Sequence, residues 1–217
     1  MRSVLLATFL LLLAAPAAQA AVTVDMKVSS GEIRYGQETT VTGTALLDGA
    51  PFAGQPVALE AKNYPFEGAF EVIETGVTGP DGTYSFKRKL ERNTDLRVTT
   101  GGAVAPRARV YVAPALVLSY QARNARVIRV TQRYRVPRGV KLDKPTIFYV
   151  GKHGAKRAPR AAVSELERIR SGRYRSSAII RLPDKWNGRF RYASCFRYTG
   201  GSGMGNPRSS CPQRFKF

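Results

Sequence analysis

The fold class of this chain is decided by TGPDGTYSF, residues 78–86. Its Pro80-Asp81-Gly82 segment is a tight-turn signal, because proline presets φ and glycine supplies a positive φ without steric cost. From Thr83 to Leu90 the apolar side chains then alternate, with Tyr84 among those on one side, as in a half-buried strand. A tight turn followed by an alternating strand predicts β-structure.

The same pattern continues on both sides of this turn. Asp48-Gly49 is a second turn signal, and no long helical periodicity interrupts the alternation. The other predicted strands of this half are Val22 to Val28, Glu38 to Leu47, Gln55 to Ala61, Phe70 to Thr75, Asp95 to Thr99 and Ala108 to Val112. About seven short strands at this spacing are typical of an immunoglobulin-like sandwich.

The informative segments of residues 22–113 are Tyr35-Gly36-Gln37, Val41-Thr42-Gly43-Thr44, Leu47-Asp48-Gly49, Gly54-Gln55-Pro56-Val57-x-Leu59 and residues 78–86. Through these segments, residues 22–113 resemble the bacterial immunoglobulin-like and carboxypeptidase-regulatory-like domains. The resemblance implies a β-sandwich, and it implies no catalytic residues, since such domains serve as spacers, adhesive modules and accessory domains of exported enzymes.

Three landmarks recur in order after residue 113. Val41-Thr42 returns as Val130-Thr131, and Gly82-x-Tyr84 returns as Gly172-x-Tyr174. The third landmark is residues 57–60, which return as residues 147–150. The near-constant spacing predicts an all-β chain of two tandem immunoglobulin-like sandwiches. Only residues 161–169 suggest a helical turn or two, which we expect in a loop.

The N-terminus has the three regions of a secretory signal. Arg2 is followed by an apolar stretch from Val4 to Ala15 and by an Ala18-Gln19-Ala20 cleavage site. The apolar stretch is shorter than the roughly 20 residues that cross a bilayer, and no later run could cross one. We therefore expect a signal peptide at residues 1–20, domains at 21–113 and 114–217, and a secreted, extracellular or cell-surface protein of bacterial type.

Cys195 and Cys211 are the chain's two cysteines, and in an exported protein they predict one intramolecular disulfide. Two free thiols are the alternative. The bridge would close the Gly/Ser-rich stretch from Thr199 to Ser210 ahead of a last strand, Arg214 to Phe217. Such a loop either displays a binding surface or only pins that strand.

Charge is distributed unequally between the halves. Residues 21–113 hold 10 Lys and Arg against 11 Asp and Glu, a net charge of −1, whereas residues 114–217 hold 24 against 4, a net charge of +20. Such asymmetry points to anionic partners, which are nucleic acid, acidic lipid headgroups or acidic glycopolymers. The alternative is that the charge only solvates the surface.

Basic and apolar residues alternate along two strands of the second half, Val127 to Val136 and Arg173 to Leu182. If these strands are B and E of an immunoglobulin-like fold, they pair, and six arginines share one outer face. Arginine forks bind carboxylate, phosphate or sulfate oxygens bidentately. The candidate anion-binding residues are Arg129, Arg133, Arg135, Arg173, Arg175 and Arg181. Residues 189–198 alternate similarly, and residues 152–160 form a basic loop.

Few residues are candidates for nucleic-acid recognition, catalysis or metal binding. The aromatic side chains alternate toward the core and so offer no stacking platform, which argues against specific nucleic-acid recognition. His153, the single histidine, lies in the basic loop, and a glycosidase-type pair would have to come from Glu165 and Glu167. We expect no catalytic residue, no metal and no cofactor.

The sequence therefore predicts an exported, non-enzymatic binding protein whose basic C-terminal domain contacts anionic material at or outside the cell surface. A protein is a further candidate partner. The alternatives are a structural spacer or accessory module without a specific ligand, and an enzyme without recognisable motifs.

Overall fold

The computed structural model describes residues 20–156, 159–186, 189–195 and 202–206. Within these ranges the chain is almost entirely β, which confirms the predicted all-β class. The described residues contain no helix with the length and apolar character to cross a membrane.

The first eleven strands form two sheets, which we call the first sheet pair. One sheet has the order β1-β4-β2, with β5 and β8 also paired to β4, and the other has the order β3-β11-β9-β6-β7, with β10 paired to β9. Within this second sheet β3 runs parallel to β11. The strands are β1 (Val22–Val24), β2 (Lys27–Val28), β3 (Glu32–Arg34), β4 (Glu38–Leu47), β5 (Ala50–Pro51), β6 (Pro56–Asn63), β7 (Glu71–Val77), β8 (Thr83–Lys89), β9 (Thr94–Thr100), β10 (Ala103–Val104) and β11 (Ala108–Ala113).

The remaining strands form the second sheet pair. Its sheets have the orders β12-β13-β17-β16 and β15-β14-β18, with every pairing antiparallel. The strands are β12 (Ala115–Asn124), β13 (Val127–Arg135), β14 (Thr146–Lys152), β15 (Arg160–Ser164), β16 (Glu167–Arg170), β17 (Arg173–Arg181) and β18 (Phe190–Cys195).

The turn and strand around residues 78–86 form as the sequence predicts. Gly82 has a φ of +75°, and Tyr84, Phe86 and Leu90 are all buried. An added Cβ at Gly82 would lie 2.5 Å from the Ala45 carbonyl oxygen, so only glycine fits there. The alternation therefore places one face of β8 in the core.

One apolar core joins the two sheet pairs. Val136, Val140, Leu142 and Tyr174 of the second half belong to the same buried cluster as Leu90 and the rest of the first core. This cluster also contains Met204, which is 0% exposed. A second cluster, around Phe148, lies within the second sheet pair alone. The halves are thus continuous in their packing.

The segment 202–206 is held against the first sheet pair by hydrogen bonds. The buried Asn93 side chain accepts from the Val112 amide at 2.8 Å and donates to the Gly205 carbonyl at 2.9 Å. Its backbone amide donates to the Gly203 carbonyl at 2.8 Å. This stretch of the predicted loop between the cysteines therefore packs on the first half instead of standing out as a free surface.

Two local predictions are wrong. Residues 161–169 contribute to β15 and β16 and contain no helical turn, because Ser164 bonds across to β17, with its hydroxyl donating to the Ser177 carbonyl at 2.8 Å. The predicted first strand from Val22 to Val28 is divided into β1 and β2. Between them the Thr44 backbone amide donates to the Asp25 carboxylate instead of to a backbone carbonyl, which interrupts the ladder. The Thr44 hydroxyl donates to the same carboxylate oxygen at 2.9 Å.

Several predictions fall outside the described residues. They are the signal peptide up to residue 19, Cys211 and with it the disulfide, the last strand at residues 214–217, and the end of the strand predicted at residues 189–198. These stay predictions.

Candidate functional site

Strands β13 and β17 are neighbours in one sheet, as the predicted arginine face requires. Their antiparallel register puts Arg133 opposite Arg175 and Arg135 opposite Arg173. All four side chains are exposed on the outer face of the sheet. We call these four residues the arginine block.

The other two candidate arginines lie apart from the block. Arg129 is half-buried opposite Ile179, and Arg181 stands at the far end of the strand, opposite Val127. The predicted set of six therefore divides into a compact group of four, Arg129 further along the same face, and Arg181 at the end of its strand. The alternation gives the face correctly, but only the register shows which arginines are adjacent.

The spacing of the block suits a chain of anionic groups. Neighbouring strands lie about 4.8 Å apart, and two residues along a strand cover about 7 Å. Of the four arginines, only Arg175 has a carboxylate partner within the part of the chain that the structure describes. Its Nη2 and Nε atoms donate to Glu167 Oε2 at 2.8 and 3.1 Å. Arg133, Arg135 and Arg173 have no carboxylate partner among the described residues.

The inner side of the same strands holds the block in place. The Tyr134 hydroxyl lies 2.7 Å from Thr146 Oγ1, and the Tyr174 hydroxyl donates to the Val140 carbonyl at 2.9 Å. Burial raises the pKa of Tyr134 to about 12, so this phenol is neutral at physiological pH. Each arginine of the block is therefore presented by a strand that is fixed from below.

A shallow cleft of about 400 Å³, the face cleft, lies on the outer face beside β15 and β16. Its charged lining is Arg129, Arg133 and Arg175 against Glu165 and Glu167, a net charge of +1. Because the two carboxylates offset most of the positive charge, this cleft is a weak attractor for anions.

A larger cleft of about 810 Å³, the junction cleft, lies where the two sheet pairs meet. One carboxylate, Glu91, faces five cationic side chains there, which gives a net charge of +4. The cationic side chains are Lys89 from the first half and Arg135, Arg138, Arg170 and Arg173 from the second. The Arg135–Arg173 pair of the block therefore continues directly into this cleft.

Sequence reasoning missed three residues of the junction cleft: Lys89, Arg138 and Arg170. Arg138 lies between Pro137 and Gly139 in a turn, outside the alternating strand that defined the candidate face. Arg170 ends β16, and an irregularity in the β16–β17 register brings it opposite Arg173. Lys89 comes from the near-neutral half. No pattern in the sequence signals that these residues meet.

At the junction cleft, the Arg135 side chain lies close to the first half. Its guanidinium carbon lies 5.9 Å from the centre of the Tyr35 ring. A Cβ built on Gly36, whose φ is +90°, would lie only 3.2 Å from Arg135 Nη2. Arg135 thus reaches across the junction, and a side chain at position 36 would crowd it.

The candidates for other chemistry are placed as follows. His153 is exposed in the turn after β14, and no described group of three His, Cys, Asp or Glu side chains is arranged to hold a metal ion. Glu165 and Glu167 do line one cleft, the face cleft, where Glu167 is bound by Arg175. Arg191, one of the alternating residues 189–198, is on β18 and so lies in the sheet β15-β14-β18, apart from the arginine block.

No protein-family model matches the chain, and no curated protein sequence matches it. Among solved structures, trypsin-activated alpha-2-macroglobulin from Escherichia coli is similar over 83% of this chain at 15% identity, with a TM-score of 0.32. The chain spans 15% of that protein's length. A likeness at this level carries no argument about function.

Proposed function

We propose that this chain is an exported, non-enzymatic protein that binds an acidic glycopolymer through the basic outer face of its second half. The observation that carries the proposal is the register of β13 and β17, which sets Arg133 beside Arg175 and Arg135 beside Arg173 on one exposed surface. Four guanidinium forks at this spacing suit an extended chain of carboxylate or phosphate groups.

A polymer suits this surface better than a lipid bilayer does. Within the described residues, the junction cleft is a concave and strongly basic part of the surface, which a flexible chain can enter and a flat membrane cannot. The outer face also carries exposed apolar side chains, Val117 at 62% and Ile179 at 55%, but they are on different strands, β12 and β17, and form no continuous apolar patch. Anionic vesicles therefore serve as a comparison ligand.

We also propose that each sheet pair is an immunoglobulin-like sandwich. In the second half, the orders β12-β13-β17-β16 and β15-β14-β18 correspond to strands A-B-E-D and C′-C-F of that fold. The disulfide between Cys195 and Cys211 and the signal at residues 1–20 belong to the same proposal. In an exported protein the bridge would close the loop that contains Met204.

The test is equilibrium binding of the whole chain from Ala21 to a short oligogalacturonate across a salt series. The variant carries Arg133→Gln and Arg175→Gln, and the matched control carries Lys27→Gln and Lys185→Gln, which are exposed and lie away from the block. We expect wild type and control to bind at about 0.15 M salt and the variant to bind at least about tenfold more weakly.

Three other outcomes would count against this proposal. If the variant and the control weaken binding equally, and binding disappears as salt rises, the charge is nonspecific and the protein is a spacer or accessory module. If anionic vesicles bind and the oligogalacturonate does not, the partner is a membrane surface. Turnover of the oligogalacturonate would show an enzyme, with Glu165 and Glu167 the first residues to replace.

A further inference from the structure

The junction cleft is the most basic concave site within the described residues, and it is built from both halves of the chain. Its net charge of +4 compares with +1 for the face cleft, although the face cleft contains more of the predicted arginines. Concave walls of low dielectric focus the field of such a cluster and raise the local concentration of anions. The strongest attraction for an oxyanion is therefore at the junction.

The cationic groups of the cleft are available to a ligand. Among the described residues, Arg135, Arg138, Arg170 and Arg173 have no carboxylate within ion-pair distance. Lys89 is paired with Glu38 only at 3.7 Å, and its side chain is 66% exposed, so this pair is weak. Like charges this close repel one another, and a bound oxyanion would relieve that repulsion.

The cleft is also held in shape. Gly172, with a φ of +70°, lets the β16–β17 turn approach β13, where the Val136 amide donates to the Gly172 carbonyl at 2.9 Å. On the other wall, Leu90 is buried in the core that the two halves share. The walls that present Lys89, Arg170 and Arg173 are thus fixed relative to one another before any ligand arrives, which lowers the ordering cost of binding.

We infer that the junction cleft is the main seat of the acidic polymer, and that it holds one oxyanion-bearing unit between Arg135 and Arg173 on one side and Lys89 on the other. The rest of the polymer runs from the cleft across Arg133 and Arg175 on the outer face. The inference rests on the proposed function, because it locates the strongest contact of the same ligand. The unit carries a carboxylate or a phosphate, since an arginine fork can donate two hydrogen bonds to the oxygens of either group.

The variant that tests this inference carries Lys89→Gln and Arg138→Gln. Both side chains are exposed and belong to the cleft but not to the arginine block. The pair Lys27→Gln and Lys185→Gln removes the same charge elsewhere and serves as the control. Thermal unfolding of each protein shows that it is folded. Binding at about 0.15 M salt is measured with a short oligogalacturonate in one arm and with inorganic tripolyphosphate in the other.

In at least one arm we expect the cleft variant to bind about tenfold or more weakly than the control, and the arm that responds identifies the acidic group. For that ligand, the affinity of the cleft variant should also depend less steeply on salt concentration than the affinity of the control does. If the cleft variant matches the control in both arms while the Arg133→Gln/Arg175→Gln variant loses affinity, the inference is wrong and the proposed function stands. If wild type binds neither ligand at this salt concentration, both fail.

Discussion

At the scale of single residues, two glycines shape the turns next to the basic surface. Gly172 and Gly139 both have positive φ values, +70° and +83°, but their surroundings differ. A Cβ at Gly172 would lie 2.6 Å from the Val136 carbonyl oxygen, whereas one at Gly139 would have no neighbour within 4 Å. Comparing alanine at the two positions therefore separates the cost of backbone strain, which both share, from the cost of a steric collision, which only Gly172 has.

Gly139→Ala should lower the free energy of unfolding by about 1 kcal/mol, the cost of a left-handed alanine. Gly172→Ala should cost roughly 1 to 3 kcal/mol more, because the β16–β17 turn must also move away from β13. Urea unfolding of the two variants measures the difference. Equal losses would show that the β16–β17 turn does not pack this closely against β13.

Residue-level predictions from the sequence succeeded where they depended on alternation. The alternation of Val127 to Val136 puts Gln132 on the inner side with the apolar residues, and Gln132 is indeed fully buried, where it accepts a hydrogen bond from Ser194 Oγ. Such placement follows from the two-residue period of a strand. The partner on β18 does not follow from it, because a contact between sheets depends on packing that no local pattern encodes.

At the scale of elements, β4 was predicted with its exact bounds, and β13 and β17 to within one residue. The long alternating runs made this possible. Register was harder: Val41 is opposite Phe86, but its proposed equivalent, Val130, is opposite Ala178, two residues beyond the position that the repeat implies. The repeat therefore gave the right faces and the wrong offset.

The segment 202–206 is the element whose role the sequence did not indicate. Its Gly/Ser-rich surroundings are typical of a linker, yet Met204 is fully buried in the apolar core that the two halves share. Met204→Ala should lower the free energy of unfolding by about 2 to 5 kcal/mol. Val72→Ala, at a residue that is 57% exposed, is the control and should change it by less than about 0.5 kcal/mol.

Urea unfolding followed by two probes extends this test. Trp186, the single tryptophan, reports on the second half by fluorescence, and far-ultraviolet circular dichroism reports on all strands. Because the core is continuous, Met204→Ala should shift both transitions together. If only one probe responds, or if wild type already unfolds in two steps, the halves are independent.

At the scale of the whole molecule, composition predicted where the charge lies but not how it is used. The count of +20 for residues 114–217 indicated a basic second half. It gave no sign that Lys89 of the near-neutral half joins Arg135 and Arg173 in one cleft, because that cleft exists only once the halves pack together. The net charge of a segment of sequence therefore does not show which charged side chains lie together in the folded chain.

The measurement that tests the central claim most directly compares an oligogalacturonate with its methyl ester, since the two share a sugar backbone and the ester has a neutral methyl ester in place of each carboxylate. Titration calorimetry of the whole chain from Ala21 at about 0.15 M salt measures both affinities. We predict binding of the acid at least about tenfold tighter than binding of the ester, because the arginine forks need the carboxylate oxygens. Equal, measurable affinities for the acid and its ester, or a wild-type chain that binds neither the acid nor inorganic tripolyphosphate, would contradict the account.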